Sequence, residues 1–193
     1  MSKGNMDKKD FQLWSDSKLI SEVKSGNQFV FEFLIKKYQK RIATIISGII
    51  GNCAETADVG QETFIRFYYG VKDFRNESSI LTYLTKIAIN LSLNELKKRK
   101  RHFFISLFKN EEQTEEIDLI QDTDRFEESN LRELISIALR QLDLNTRMVI
   151  ILRLIEGYSV KETSEILKIP LGTVLSRQAR GQEKLKLILH KYL

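Results

Sequence analysis

The scarcity of chain-breaking residues constrains the fold of this chain more than any other feature. A single Pro and nine Gly occur in 193 residues. Because tight turns between strands rely on these two residue types, an all-β sandwich or barrel is disfavoured. Apolar residues recur at steps of three and four along most of the chain, and no segment alternates with period two. The sequence therefore predicts an all-α protein.

The periodicity divides the chain into eight predicted helices. Ser15 and Asn27 can cap the first two, because short polar side chains accept hydrogen bonds from the free N–H groups of a first turn. Gly157 suits the position just after a helix, and Ser159 with Glu162 forms a capping box before another. The first four helices are predicted from Ser15 to near Gly26, from Asn27 through Ile49, over about 54–71, and from 78 or 79 to about 101. The last four are predicted over about 127–142, 145–156, 159–167 and 170–191.

Several function classes lack the residues that they need. The sequence has no glycine-rich loop that could cradle phosphates, which disfavours a nucleotide-driven motor or a dinucleotide-dependent dehydrogenase. Cys53 is the single cysteine, and His102 and His190 are too few to complete a zinc site of ordinary spacing. We therefore expect a reduced protein with no metal, no cofactor and no internal disulfide.

Export and membrane insertion are also not predicted. No apolar run follows the lysines of the first ten residues, although a signal peptide would need one. The most apolar stretch, 42–50, is far shorter than the ~20 residues of a membrane span. These features predict a cytoplasmic protein.

Charge is distributed unevenly along the chain. The net charge is +5, yet residues 110–128 carry nine acidic side chains against one arginine. A run of five basic residues, 97–101, precedes this segment. We therefore predict an N-terminal tail (1–14), a helical domain (15–102), a flexible acidic linker (103–128) and a second helical domain (129–193). The linker could fold back on the basic helices and discourage the binding of a polyanion such as DNA.

The last two predicted helices have the spacing of a helix-turn-helix. A short turn over 168–171 joins them, and Pro170 lies where the second helix would begin. At 100° per residue, Val174, Gln178, Gly181 and Leu185 share an inward face. A separate polar stripe, on the face around Thr173, could contact duplex DNA, because Arg and Lys neutralise phosphates and Arg can grip guanine. Such a stripe is equally typical of a solvated amphipathic helix. Its residues are Thr173, Ser176, Arg177, Arg180, Lys184 and Lys191.

Two further helix faces carry candidate binding residues. On the third helix, Asp58, Gln61, Glu62 and Ile65 share one face at i, i+3, i+4 and i+7. A line on the fourth helix combines an aromatic ring with basic side chains. This combination suits unpaired DNA, because aromatic rings stack on nucleobases. Ordinary solvated surfaces would show the same patterns. The line on the fourth helix comprises Ser79, Tyr83, Lys86, Asn90, Lys97 and Arg101.

Two blocks of the chain carry recognisable runs of residues. The C-terminal block comprises residues 142–145, 149–153, 156–159, 165–167, 170–174, 176–177 and 180–181. The N-terminal block comprises residues 57–58, 61–64, 74–75, 77–79, 82–84, 87–88 and 90. These blocks resemble region four and region two, respectively, of bacterial RNA polymerase sigma factors of the two-domain extracytoplasmic-function (ECF) type, and they occur in the family's order and spacing.

The resemblance implies a non-catalytic promoter-specificity subunit. It implies that the face at Asp58, Gln61, Glu62 and Ile65 docks on the clamp coiled coil of the polymerase largest subunit, and that region four meets the flap of the second-largest subunit. It implies distal-promoter contacts by the helix-turn-helix, and possible control by an anti-sigma factor. For the loop that captures a flipped proximal base, it implies Phe74, Arg75, Asn76, Ser78 and Ser79.

Some residues depart from the family pattern, and two other functions stay open on the residues alone. Gly60 and Gln178 stand where apolar residues are usual, Ser164 where Ala is usual, Leu175 where Lys is usual and Ile89 where Arg is frequent. An autonomous dimeric helix-turn-helix regulator is the main alternative. A nucleic-acid-processing enzyme is a weaker one, and the pair of carboxylates on the third helix is its only candidate cluster.

Overall fold

A computed structural model describes the backbone of residues 10–75, 77–109 and 128–191, with side chains over 11–75, 77–103 and 133–191. All regular structure within these residues is helical, which confirms the predicted all-α class. Short 3-10 turns lie at Asp10–Leu13 and Val71–Asp73, and a π-helical turn at Ile151–Ile155 continues α6. The α-helices are α1 (Asp16–Lys24), α2 (Gln28–Ile50), α3 (Ala54–Gly70), α4 (Ile80–Lys109), α5 (Glu128–Arg140), α6 (Leu144–Ile150), α7 (Val160–Leu167) and α8 (Leu171–Leu189).

The predicted helix starts at Ser15, Asn27 and Ser159 are confirmed. The Ser15 hydroxyl accepts from the Lys18 N–H at 3.3 Å, and the Asn27 amide oxygen accepts from the Val30 N–H at 3.4 Å. The capping box is complete, because the Glu162 N–H donates to Ser159 Oγ at 3.1 Å and the Ser159 N–H donates to Glu162 Oε2 at 2.8 Å.

The fourth helix is longer than predicted. It continues past Arg101 to Lys109, because no Gly or Pro interrupts residues 102–109. Residues 110–127, which hold most of the predicted acidic linker, lie outside the described residues, as does the N-terminal tail as far as residue 9.

The core of the N-terminal half (10–109) forms where α3 and α4 pack on α2. Leu34 and Ile46 of α2, Phe67 of α3 and Leu84 of α4 have no exposed surface. At the start of α2, Val30 faces the core and is completely buried, whereas its neighbour Phe29 is 72% exposed.

The C-terminal half (128–191) depends on a close approach of α6 and α8. A Cβ atom on Gly181 would lie 2.6 Å from Ile150 Cγ1 and 2.9 Å from Thr146 Cγ2. Only glycine therefore fits there without displacing its neighbours. Val174 of α8 is completely buried, which confirms the inward face predicted for this helix.

The two halves pack directly on each other through contacts that we call the interdomain contact. Gly48 of α2 faces Ile151, since a Cβ at residue 48 would lie 2.7 Å from Ile151 Cδ1. Thr85 of α4 and Tyr158, which are both buried, share a hydrogen bond of 2.8 Å between their hydroxyl groups. Burial raises the pKa of the Tyr158 phenol.

Two arginines complete the interdomain contact. Arg41 Nε lies 2.7 Å from Glu156 Oε2, and its Nη2 donates to the Glu156 carbonyl at 2.6 Å. The Glu156 side chain is only 5% exposed, whereas the Arg41 side chain is 42% exposed, so the carboxylate is shielded from solvent and the guanidinium is not. Arg147 donates to the Ile49 carbonyl at 3.2 Å and to the Arg140 carbonyl at 2.9 Å.

Candidate nucleic-acid interface

The turn of the helix-turn-helix is fixed by local contacts. Lys168 adopts a left-handed backbone conformation with φ of 54°, which ends α7. The Ser164 hydroxyl donates to the Ile169 carbonyl at 2.6 Å. Ser164, which departs from the family pattern, therefore helps to hold the turn before α8.

The polar stripe predicted on α8 lies at the surface. Ser176, Arg180 and Lys184 are exposed, while Thr173 and Arg177 are half-buried. The Ser176 hydroxyl donates to the Thr173 carbonyl at 3.1 Å, and Arg180 Nε donates to the Ser176 carbonyl at 3.2 Å. The hydroxyls and cations thus follow the helix at positions from which they can meet phosphates and base edges.

The inward glutamine of α8 has a structural role that the sequence did not reveal. Arg153 Nε donates to Gln178 Oε1 at 2.9 Å, and the same guanidinium also donates to the Tyr158 carbonyl. Gln178 therefore anchors α8 to the segment after α6. No sequence signal identified this partner, because the two residues lie on different elements.

The basic run at 97–101 divides into surface and structural residues. Lys97 and Arg101 are exposed on α4, in line with the exposed Asn90. Arg99 instead lies 3.0 Å from Glu55 Oε2 and donates to Cys53 Sγ at 2.8 Å. Arg99 thus ties α4 to the start of α3, where it is only partly available to DNA.

The loop between α3 and α4 (74–79) differs in part from the prediction. Phe74 is only 8% exposed, and its ring centroid lies 4.9 Å from that of Tyr83. Its ring therefore supports the loop from the core and is a poor direct contact for DNA. Arg75 and Ser79 are exposed and Ser78 is half-buried. Asn76 lies outside the described residues.

Two other predicted DNA residues of this region are already engaged. Ser79 Oγ accepts from the Thr82 N–H at 3.1 Å, as a helix cap does. The half-buried Tyr83 ring also packs at 6.0 Å from Phe67, between centroids. Lys86, one turn further along α4, is half-buried.

The carboxylate face of α3 lies at the surface as predicted. Asp58 and Gln61 are exposed, and Ile65 is 48% exposed. Glu62 Oε1 lies 2.7 Å from Arg66 Nε on the next turn. The face therefore offers carboxylates, an amide and an apolar side chain to a partner.

The carboxyl groups with lowered pKa have structural causes. Hydrogen bonds from Thr146 lower the pKa of Asp143 at the start of α6, and those from Ser159 lower the pKa of Glu162. Hydrogen bonds and the nearby Arg99 lower the pKa of Glu55. Among the described residues there is no group of three or more His, Cys, Asp or Glu placed to hold a metal ion.

Comparisons with known proteins decide the family. Sigma-70 region 2 matches residues 34–102 and sigma-70 region 4 matches residues 138–187. The RNA polymerase sigma-H factor of Pseudomonas aeruginosa is 32% identical over 174 residues, covering 87% of this chain and 90% of that protein. The ECF RNA polymerase sigma factor SigW of Bacillus subtilis is 31% identical over 175 residues, covering 88% and 94%. The chain belongs to the ECF sigma factors of RNA polymerase.

Solved structures support the fold of this sigma factor. CnrH, solved in complex with the cytosolic domain of CnrY, superposes with a TM-score of 0.66 at 24% identity, covering 91% of this chain and 97% of that one. The sigma factor RpoE of Bartonella quintana, solved with the anti-sigma factor NepR, gives a TM-score of 0.67 at 21% identity, covering 83% and 96%.

Family membership confirms the predicted class of function. An ECF sigma factor is a non-catalytic promoter-specificity subunit of RNA polymerase, so the enzyme alternative is excluded. None of the described helices is both long and apolar enough to span a membrane.

Proposed function

We propose that this sigma factor recognises promoter DNA with two separate surfaces. The stripe on α8 contacts the distal promoter element as duplex. The α3–α4 loop and the exposed line on α4 hold the proximal element as it opens. The α8 stripe supports this assignment most strongly, because five polar or basic residues follow one face of a helix that is packed inward at Val174 and Gly181.

The carboxylate face of α3 is the proposed docking surface for core RNA polymerase. This face would meet the clamp coiled coil of the largest subunit through Asp58, Gln61, Glu62 and Ile65. Its carboxylates would pair there with basic side chains. The C-terminal half would meet the flap of the second-largest subunit. The proposed boundaries are 1–14 for a tail, 15–102 for region two, 103–128 for a linker and 129–193 for region four.

The proposal places the protein in the cytoplasm with RNA polymerase, and an anti-sigma factor could hold it inactive. Two proteins of similar fold were solved with protein partners, CnrH with the cytosolic domain of CnrY and RpoE with the anti-sigma factor NepR.

Size-exclusion chromatography with core RNA polymerase tests the docking surface. The wild-type chain should co-elute with core enzyme, and Asp58→Ala with Glu62→Ala should release it because both carboxylates are lost from the face. Glu183→Ala, an exposed carboxylate on α8, is the matched control. Binding to a palindromic duplex without core enzyme, together with no co-elution, would instead support the autonomous regulator.

A further inference from the structure

The first helix holds both ends of the α3–α4 loop. Lys24 Nζ donates to the carbonyl oxygen of Phe74 at 2.8 Å, where the loop begins. Asp16 Oδ2 accepts from the backbone N–H of Ile80 at 3.0 Å, where α4 begins. The partners lie 50 and 64 residues apart in the sequence, so these are tertiary contacts between α1 and the loop.

Each contact suits the backbone group that it satisfies. The Ile80 N–H lacks an intrahelical acceptor, and a carboxylate at that end of α4 also meets the positive end of the helix dipole. The Phe74 carbonyl follows the 3-10 turn Val71–Asp73, which packs against α1. Hydrogen bonds with one ionised partner are roughly twice as strong as neutral ones.

α1 can act as a firm support because the core holds it in place. Leu19 is completely buried, Ile20 is 1% exposed and Val23 is 3% exposed. Lys24 is exposed and Asp16 is half-buried. The apolar face of α1 therefore fixes the helix, while these two polar residues reach the loop from its edge.

We infer that Asp16 and Lys24 are positioning residues for promoter opening, which hold the α3–α4 loop in the shape that receives an unpaired base. The inference rests on the proposed role of this loop. Fixing both ends before DNA arrives reduces the conformational entropy that strand binding would otherwise cost. Both residues act through Phe74 and Ile80 and make no contact with DNA themselves.

Strand binding by the holoenzyme tests the inference. The probe is a single-stranded non-template oligonucleotide from a promoter mapped with the wild-type holoenzyme, and fluorescence anisotropy measures its affinity. Lys24→Met should weaken this binding about tenfold, as expected for loss of one charge-assisted hydrogen bond. Affinity for core polymerase should not change. Lys24→Arg keeps a donor and should restore binding, and Lys18→Met is the control on the same helix.

Hydrogen exchange in the free full-length protein provides the second measurement. Lys24→Met, and also Asp16→Ala, should speed amide exchange over residues 71–80 relative to wild type. Unchanged exchange, unchanged strand affinity, or an equal loss of core affinity would each overturn the inference. If the wild-type holoenzyme itself does not bind the strand, the proposed function of the loop fails, and with it the role of α1 in promoter opening. The exchange data would still show whether α1 holds the loop.

Discussion

Gly60 and Gly181 both lie inside helices, but their surroundings differ. A Cβ on Gly60 would meet only Ile46 Cδ1 at 4.0 Å, which is ordinary contact. A Cβ on Gly181 would lie within 2.9 Å of atoms of Ile150 and Thr146. Gly60 therefore departs from the family pattern without a steric need, whereas Gly181 is required by the crossing of α6 and α8.

These surroundings predict opposite effects of the same substitution. Gly60→Ala should raise the free energy of unfolding by about 0.5–1 kcal/mol, because alanine favours the helix. Gly181→Ala should lower it by roughly 1–3 kcal/mol through overpacking. Urea unfolding followed by circular dichroism measures both. A loss of stability in Gly60→Ala would show that the site is tighter than the structure indicates.

Helix α6 begins at a cap that depends on an ionised carboxylate. Asp143 Oδ1 accepts from the Thr146 N–H at 3.0 Å. Hydrogen bonds from the Thr146 side chain and from this N–H lower the pKa of Asp143 from its ordinary value of 3.8. Because the pKa of Asp143 is lower in the folded state, the charged cap stabilises the fold at pH values above the ordinary pKa of aspartate. This stabilisation is lost as the pH falls through the lowered pKa.

Asp143→Ala should therefore lower the free energy of unfolding by about 1 kcal/mol at neutral pH, as loss of a helix cap does. The difference in the free energy of unfolding between Asp143→Ala and wild type should become smaller as the pH falls below the ordinary pKa of aspartate, because the wild-type carboxyl then becomes protonated. Urea midpoints across this pH range measure the effect, with Glu183→Ala as an exposed control. A difference that stays constant with pH would contradict a charge-dependent cap.

The helix caps could be predicted from the sequence because their partners lie three residues apart. The capping box at Ser159 and Glu162 is such a local pattern, and so is the cap at Asn27. The partners of Arg99 and Gln178 could not be predicted, because they come from other helices. The burial of Phe74 could not be predicted for the same reason, since its ring packs against Tyr83 of the next helix.

At the scale of the whole molecule, the sequence predicted two helical domains but not that they touch. Thr85 and Tyr158 lie 73 residues apart, and neither residue carries a local signal of the other. The acidic segment between the halves marked a boundary by its charge alone. The interdomain contact is therefore a property of packing that composition and periodicity do not encode.

The buried hydroxyl pair of the interdomain contact can be tested with a double-mutant cycle. Tyr158→Phe should lower the free energy of unfolding by about 1–2 kcal/mol, because the Thr85 hydroxyl loses its buried partner. Adding Thr85→Val should recover part of this loss, since neither polar group then remains unpaired. Thermal unfolding measures each variant. If the two substitutions change the free energy of unfolding by strictly additive amounts, the two hydroxyl groups do not interact in solution.

If the α8 stripe directs RNA polymerase to promoters, its loss should be visible in run-off transcription with core enzyme from the source organism. Lys184→Ala lies on the stripe, and Lys186→Ala, an exposed lysine two residues later, lies off it. Lys184→Ala should reduce initiation several-fold and lower the salt dependence of promoter binding by about one phosphate contact. Lys186→Ala should stay near wild type. Equal effects of the two substitutions, or no specific transcript with the wild-type chain, would contradict the account.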